Sequence, residues 1–232
     1  MSEPAPPAQG MRIVDLSHVI EHGMVTYKGL PGPVICDYWS REASVANYSD
    51  GSTFQIGRID MVSNTGTYLD APFHRYAHGH DLSQLPLERL SAVPALVVRR
   101  PHAEGLAIDA DAFAGLELKG MAVLVHTGWD RHWRTEAYQS EHPFLTRAAA
   151  ERLVDGGAAL VGIDSHNIDD TRGGGRPVHT VLLGAGIPIC EHMTNLDALP
   201  DSGFRFSAVP PKVKGMGTFP VRAHALVPGE AG

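Results

Sequence analysis

The stretch from residue 121 to residue 164 constrains the fold more than any other. Met121 to Val125 is a short apolar run that reads as a buried strand. Thr146 is placed to cap a helix over Arg147 to Asp155, all good helix formers, and Gly156-Gly157 stops it. Ala158 to Ile163 is then a continuous apolar strand that ends at Asp164. Strand, helix and strand in that order suggest a crossover unit with the two strands parallel. Parallel sheets gather ligand-binding groups beyond the carboxyl ends of their strands. Here those ends carry His126-Thr127-Gly128-Trp129 and Asp164-Ser165-His166-Asn167.

Around this unit the chain reads as many short strands with few helices. Arg12 to Leu16 and Ala95 to Val98 are strands, and Ile187 to Cys190 is a short strand leading into Glu191-His192. Gln55 to Val62 alternates, with Ile56, Ile59 and Met61 among polar residues, so a half-buried strand is expected. Asp109 to Leu116 has the start signal of a short helix. Phe204 to Pro220 is proline-rich and expected to be extended. The class is α/β, with a mixed β-sheet core and short flanking helices. Residues 1–10 are polar and proline-rich and read as a disordered leader without the cationic start and apolar run of a signal peptide. Residues 11–232 read as one domain, a size that fits the 232-residue length.

The formal net charge of −7 argues against nucleic acid as the main partner, because phosphate binding needs a basic face. Lys212, Lys214 and Arg222 are too sparse to supply one. No apolar run approaches the roughly 20 residues of a membrane helix. The two cysteines, Cys36 and Cys190, form neither a disulfide framework nor a zinc knuckle, and the cytoplasm is the expected compartment. The partner class left is a small molecule. Two motif classes are excluded. Gly173-Gly174-Gly175 lacks the Gly-Lys-Ser/Thr ending of a phosphate loop, and no Gly-x-Ser-x-Gly elbow is present.

The segment Asn64-Thr65-Gly66-Thr67-Tyr68-Leu69-Asp70-Ala71-Pro72-Phe73-His74 holds the polar residues that suggest chemistry. Side chains two apart on an extended chain share a face, which places Asn64, Tyr68 and Asp70 together. Pro72 bends the chain, so His74 needs a turn to join them. The plain alternative is a loop held by Asn and Asp hydrogen bonds with a surface histidine. Thirteen histidines are present, and His78, His80, His132, His142 and His192 have no convincing ligand spacing. His192 follows Glu191, and alternation along a strand allows at most one of the two into a pocket.

This segment resembles the motif His-x-Gly-Thr-His-x-Asp-x-Pro-x-His of the cyclase family, which includes bacterial kynurenine formamidases and isatin hydrolases. Here it reads Asn64-x-Gly66-Thr67-Tyr68-x-Asp70-x-Pro72-x-His74. Val14-Asp15-Leu16-Ser17-His18, Leu82 to Glu88, Val161-Gly162-Ile163-Asp164 and His179 to Glu191 are also similar to family blocks, so the resemblance runs from about residue 11 to 225. It implies a swivelling β/β/α fold, a homodimer or larger assembly, and one or two divalent metals. Carried across by position, Asp70, His179 and Glu191 are the expected metal ligands and His74 the expected acid or base.

Asn64 and Tyr68 stand where the family has histidine. An amide oxygen is a weak ligand for zinc, and a tyrosine hydroxyl is seldom one. One divalent metal, zinc or manganese, is therefore expected, with a metal-free site as the alternative. Tyr68 and Asn64 are then catalytic candidates that hold an oxyanion, or, without metal, Tyr68 is the acid-base partner of His74. Trp129, Phe54, Tyr27 and His18 are the candidate substrate-binding residues. The resemblance implies a hydrolase that opens an amide or lactone bond of a small aromatic substrate, in the manner of an arylformamidase. A metal-independent cyclase or lyase using Tyr68 and His74 is the second reading, and a non-catalytic small-molecule-binding homologue the third.

Overall fold

A computed structural model describes residues 10–229; the expected leader, apart from Gly10, lies outside the described residues. In chain order the strands are β1 (Met11–Asp15), β2 (Val34–Trp39), β3 (Ile56–Asp60), β4 (Tyr68–Asp70), β5 (Val93–Arg99), β6 (Ala107–Ile108), β7 (Ala122–His126), β8 (Phe144–Leu145), β9 (Leu160–Ile163), β10 (Ile189–Glu191), β11 (Ser202–Ser207), β12 (Thr218–Pro220) and β13 (His224–Pro228). The α-helices among the described residues are α1 (Arg41–Ser44), α2 (Arg147–Asp155) and α3 (Pro177–Gly184). The α/β class with a mixed sheet and short helices is therefore the one the chain adopts.

Nine strands form the main sheet in the order β1-β13-β11-β5-β7-β9-β10-β4-β12. The central four, β5, β7, β9 and β10, are parallel. Antiparallel strands complete the sheet on both sides. The expected crossover is present, with β7 beside β9 and α2 between them in sequence. Thr146 caps α2 by accepting from the Ala149 amide at 3.2 Å, a bond of the kind that contributes about 1 kcal/mol.

Parallel strands covered on both faces need apolar residues at every position. Accordingly Ala122 and Leu124 enter one core with Leu69, Cys190, Phe204 and Phe206. Val123 and Val125 enter the other, with Val161, Ile163, Ile189 and the inner faces of α2 and α3. Burying a Val, Leu or Ile side chain is worth roughly 1.5–3 kcal/mol, so these two clusters supply the main driving force.

Two sequence expectations change, and one element is added. The strand β3 pairs only with β2, in a hairpin separate from the main sheet, so its alternation buries nothing: Ile56 and Ile59 are 44% and 49% exposed. The segment after Asp109 forms a short 3-10 turn over Ala110–Phe113, capped by Asp109, and not a longer helix. The helix α3 is an addition to the expected elements, although Pro177 sits in its first turn, where a missing N–H costs nothing. No helix of the described residues is long and apolar enough to cross a membrane.

Candidate active site

Three short strands at one side of the sheet assemble the site. Glu191 of β10 lies opposite Tyr68 of β4, and Asp70 lies opposite Ile189 on one side and Thr218 of β12 on the other. Directly opposed residues share a face of the sheet. Alternation therefore sends Tyr68, Asp70, Glu191 and Thr218 to the side of α3, while Leu69 and Cys190 point into the opposite core. Gly66 precedes β4 with φ of 67°, and a Cβ there would meet Ile20 at 2.9 Å. Only glycine takes both the left-handed turn and the close contact without strain.

His74 joins through the expected turn, a 3-10 turn over Pro72–His74 closed by His74 N to Ala71 O at 2.9 Å. Gly217 packs against it so closely that a Cβ would overlap the His74 backbone. The Thr218 hydroxyl donates to Asp70 Oδ1 and also lies 2.9 Å from His74 Nδ1. A carboxylate only accepts, so the single hydroxyl proton is used on Asp70 and Thr218 must accept from His74 Nδ1–H. That sets the tautomer. The Nε2 of His74 keeps its lone pair, as a base or a ligand requires.

The helix α3 brings His179. Asp169, in the loop after β9, accepts from the first-turn amides of Val178 at 2.7 Å and His179 at 3.0 Å. It also binds His179 Nδ1 at 2.6 Å. This one carboxylate caps the helix and leaves His179 Nε2 facing Asp70 Oδ2 at 3.6 Å and Glu191 Oε1 at 3.7 Å. The pattern is that of a metal-binding histidine held by an outer carboxylate.

The electrostatics of this corner call for a cation. Asp70 Oδ2 is buried with no hydrogen-bond partner, a costly state for a carboxylate oxygen. Burial pushes Glu191 above the usual carboxylate range, although the nearby His179 and the Ile168 amide act the other way. Burial alone would lower His179, but Glu191, Asp169 and Asp70 together hold it above the usual imidazole range. Asp70, His74 and His179 each offer a ligand atom, all within 4.8 Å of one another. Glu191 adds a second carboxylate 3.7 Å from His179 Nε2, and Asp70 and Glu191 with a neutral His179 would balance a divalent ion, so these residues fit one such ion.

These groups open into a cavity of about 300 Å³ lined by Tyr27, Leu30, Asn64, Tyr68, Asp70, His74, Arg75, Asn167, Arg176, His179 and Glu191. All six expected catalytic and metal-binding residues line it, and so does Tyr27, whose hydroxyl accepts from Asn167 at 2.6 Å. Burial raises the Tyr27 and Tyr68 hydroxyls above the usual phenol range.

The other three expected substrate-binding residues do not line the cavity. Trp129 is buried behind β7, with its indole N–H bonded to Tyr138 O at 3.1 Å. Phe54 lies beside the hairpin, edge-on to Trp39 and Tyr48. His18 stacks on Trp133 at 4.1 Å, and burial lowers it to about 4. Trp129 and Phe54 pack in other parts of the molecule, whereas His18 stays beside β4, its amide donating to Thr67 Oγ1 at 3.0 Å, with its ring turned onto Trp133 and not into the cavity.

Glu191 and His192 also depart from simple alternation. His192 leaves the strand with φ of 54° and is fully buried, and both side chains reach the Tyr68 hydroxyl, Glu191 at 2.7 Å and His192 at 3.3 Å. Asp169, Thr218, Arg75 and Arg176 are site residues absent from the sequence expectations, and Asn167 appears there only within the strand-end block Asp164-Ser165-His166-Asn167. The strand-end rule points to the correct loop after β9. Asp164, however, is occupied in bonding Thr127 and Gly128, and Asn167 and Asp169 serve the site instead.

The comparisons with known proteins agree with this architecture. The sequence profile of the cyclase family matches residues 14–170, more than half of the chain. The kynurenine formamidase of Geobacillus thermodenitrificans is 31% identical over 180 residues, covering 76% of this chain and 82% of that protein. Isatin hydrolase A from Labrenzia aggregata, bound to benzyl benzoate, shares the fold with a TM-score of 0.80 at 23% identity, over 94% of both chains. A solved structure described as a potential metal-dependent hydrolase with cyclase activity has a TM-score of 0.76 at 28% identity, over 93% of this chain and 98% of that one. With Tyr68 and Asp70 on β4 and His74 in the turn that follows, the matched profile and the relative 31% identical over 76% of the chain show that this chain belongs to the cyclase family.

Proposed function

We propose that this protein is a metal-dependent hydrolase that opens an amide or lactone bond of a small aromatic substrate, as an arylformamidase does. The observation that carries this reading is the buried, unpartnered Oδ2 of Asp70 facing the Nε2 of His179. Asp70, His179 and Glu191 would hold one divalent ion, zinc or manganese. Such an ion supplies Lewis-acid polarisation of a carbonyl and activates water near neutral pH.

The remaining steps belong to the chain. His74, with Nδ1–H fixed on Thr218, accepts a proton at Nε2 and returns it to the leaving group. The Tyr68 proton is committed to Glu191, so the oxyanion falls to the Asn64 amide. Tyr27, Leu30 and Tyr68 wall the aromatic ring. Arg75 and Arg176 line the cavity without a carboxylate partner among the described residues, which favours a substrate or product that carries negative charge.

The test is hydrolysis of an aryl formamide by the purified chain and by His74→Ala. General acid-base catalysis contributes about 10²- to 10⁴-fold, so kcat should fall by that factor. Full activity in the variant would remove His74 from the mechanism.

The proposal includes a homo-oligomer. The β2–β3 hairpin exposes Val34, Ile35, Tyr38, Trp39, Ile56 and Ile59 outside the main sheet, an apolar surface that a second copy would cover. The cytoplasm is the proposed compartment, in line with two cysteines that form no disulfide framework.

A further inference from the structure

Behind Glu191 lies a buried chain of hydrogen bonds that the proposed reaction does not use directly. The Tyr68 hydroxyl is 2.7 Å from Glu191 Oε2. His192 Nε2 is 3.3 Å from the same hydroxyl, and His192 Nδ1 is 2.9 Å from the Tyr138 hydroxyl. All three rings are buried, with Tyr68 and Tyr138 1% exposed and His192 0%.

Donor counting gives the chain one direction. An ionised Glu191 only accepts, so the Tyr68 proton goes to Oε2. The Tyr68 oxygen must then accept from His192, which requires Nε2–H. Both ring nitrogens of the fully buried His192 meet tyrosine hydroxyls and no carboxylate, and a charged ring buried without a counter-ion is costly, so the ring is neutral. Its Nδ1 therefore carries a lone pair and takes the proton of Tyr138. The order is Tyr138 to His192 to Tyr68 to Glu191, with no proton left over and no acceptor unmet. The backbone supports it: Thr67 Oγ1 donates to the His192 carbonyl at 2.5 Å, and residue 192 is held in the left-handed region.

We propose that His192, backed by Tyr138, is a positioning residue that fixes the Tyr68 hydroxyl on Glu191 and so presents the other Glu191 oxygen to the cation site. The proposal rests on the metal reading above for the ionised state of Glu191. It explains how a tyrosine works at position 68. Tyr68 need not be a ligand, because its hydroxyl orients one, and His192 keeps that hydroxyl from turning into the cavity.

The test has two arms on the full chain. In the first, ¹⁵N-histidine NMR of the metal-free protein reads the His192 tautomer at pH 8. Nε2–H with bare Nδ1 is expected, and Nδ1–H would overturn the proposal. The second arm compares His192→Gln with His192→Asn. A glutamine nitrogen reaches about as far as Nε2, whereas an asparagine nitrogen reaches only as far as Nδ1. The left-handed backbone favours Asn, so Asn should be the more stable variant in urea.

Zinc affinity, read by competition with a chromophoric chelator, should rank the other way. Asn should lose about tenfold, the lower end of the range for groups that orient ligands, and Gln should keep most of the affinity. If affinity follows stability, with Asn equal to or better than Gln, His192 is only structural and the proposal fails. If the wild type takes up no zinc, the metal reading fails, and the tautomer alone decides the hydrogen-bond chain. If neither variant folds, the tautomer decides as well.

Discussion

Replacing Asp169 by Asn tests the site with almost no change of shape. The native carboxylate accepts three hydrogen bonds, from Val178 N at 2.7 Å, His179 N at 3.0 Å and His179 Nδ1 at 2.6 Å. An amide supplies one acceptor oxygen and one NH₂ group, so one side of the new side chain must turn a donor toward donors. If NH₂ faces Val178, a buried donor loses its partner, at about 1–3 kcal/mol. If NH₂ faces His179, the imidazole must move its proton from Nδ1 to Nε2. That proton then occupies the atom that faces Asp70 and Glu191. Loss of an orienting group of this kind costs about 10- to 100-fold in metal affinity. The same factor is about 1.4–2.7 kcal/mol.

The assay is zinc competition on the metal-free wild type and Asp169→Asn, with urea unfolding in parallel. The variant should fold and show either a stability loss of about 1–3 kcal/mol, with NH₂ toward Val178, or zinc binding at least about tenfold weaker, with NH₂ toward His179. A folded variant with both wild-type stability and wild-type affinity would refute the role given to Asp169.

His166 gives a pH prediction with a definite sign. Burial lowers its pKa from 6.5 to about 3, so the unfolded chain binds more protons between those values. Its contribution to stability is complete above pH 6.5 and is lost as pH falls toward 3. Between pH 6.5 and 5 the loss is roughly 1–2 kcal/mol, at 1.36 kcal/mol per pKa unit. Denaturation of wild type and His166→Phe should therefore show a stability difference that changes by this amount over that interval; a difference independent of pH would contradict it. Sedimentation tests the exposed hairpin. It should read about twice the 24.9 kDa chain mass or more, and a shift toward monomer is expected when Tyr38 and Trp39 are both changed to Lys. A wild-type monomer would remove the oligomer from the account.

The parts of the fold legible in the sequence are those fixed by local pattern. The β7–α2–β9 unit carries its signals within about forty consecutive residues, and the two-residue period of Tyr68 and Asp70 needs only a short strand. The site residues missed by the sequence reading depend on long-range pairing. Thr218 reaches Asp70 because β12 lies beside β4, and nothing near position 218 indicates a partner 148 residues away. Asp169 is hidden by a nearer carboxylate, Asp164, at the strand end where a site residue is expected. Burial raises Asp164 to about 7 even though Thr127 and Gly128 donate to it, and it serves the backbone. Trp129, Phe54 and His18 show the limit of inferring pocket walls from residue type. Loop direction decides which cavity an aromatic side chain faces, and sequence gives little information about it. The hairpin shows the same limit from the other side. Its alternating pattern is genuine, but the partner face for Ile56 and Ile59 is absent from the chain's own sheet.

The central claim is that Asp70 and His179 share one divalent ion and that this ion is required for amide hydrolysis. Anomalous diffraction from crystals of the full chain grown with zinc tests it most directly, paired with aryl formamide turnover by the same metal-loaded and chelated protein. The account predicts one anomalous peak, in contact with Asp70 Oδ2, His179 Nε2 and a Glu191 oxygen, and turnover that disappears on chelation and returns with metal. Two peaks in the cavity, or turnover that survives complete removal of metal, would contradict it.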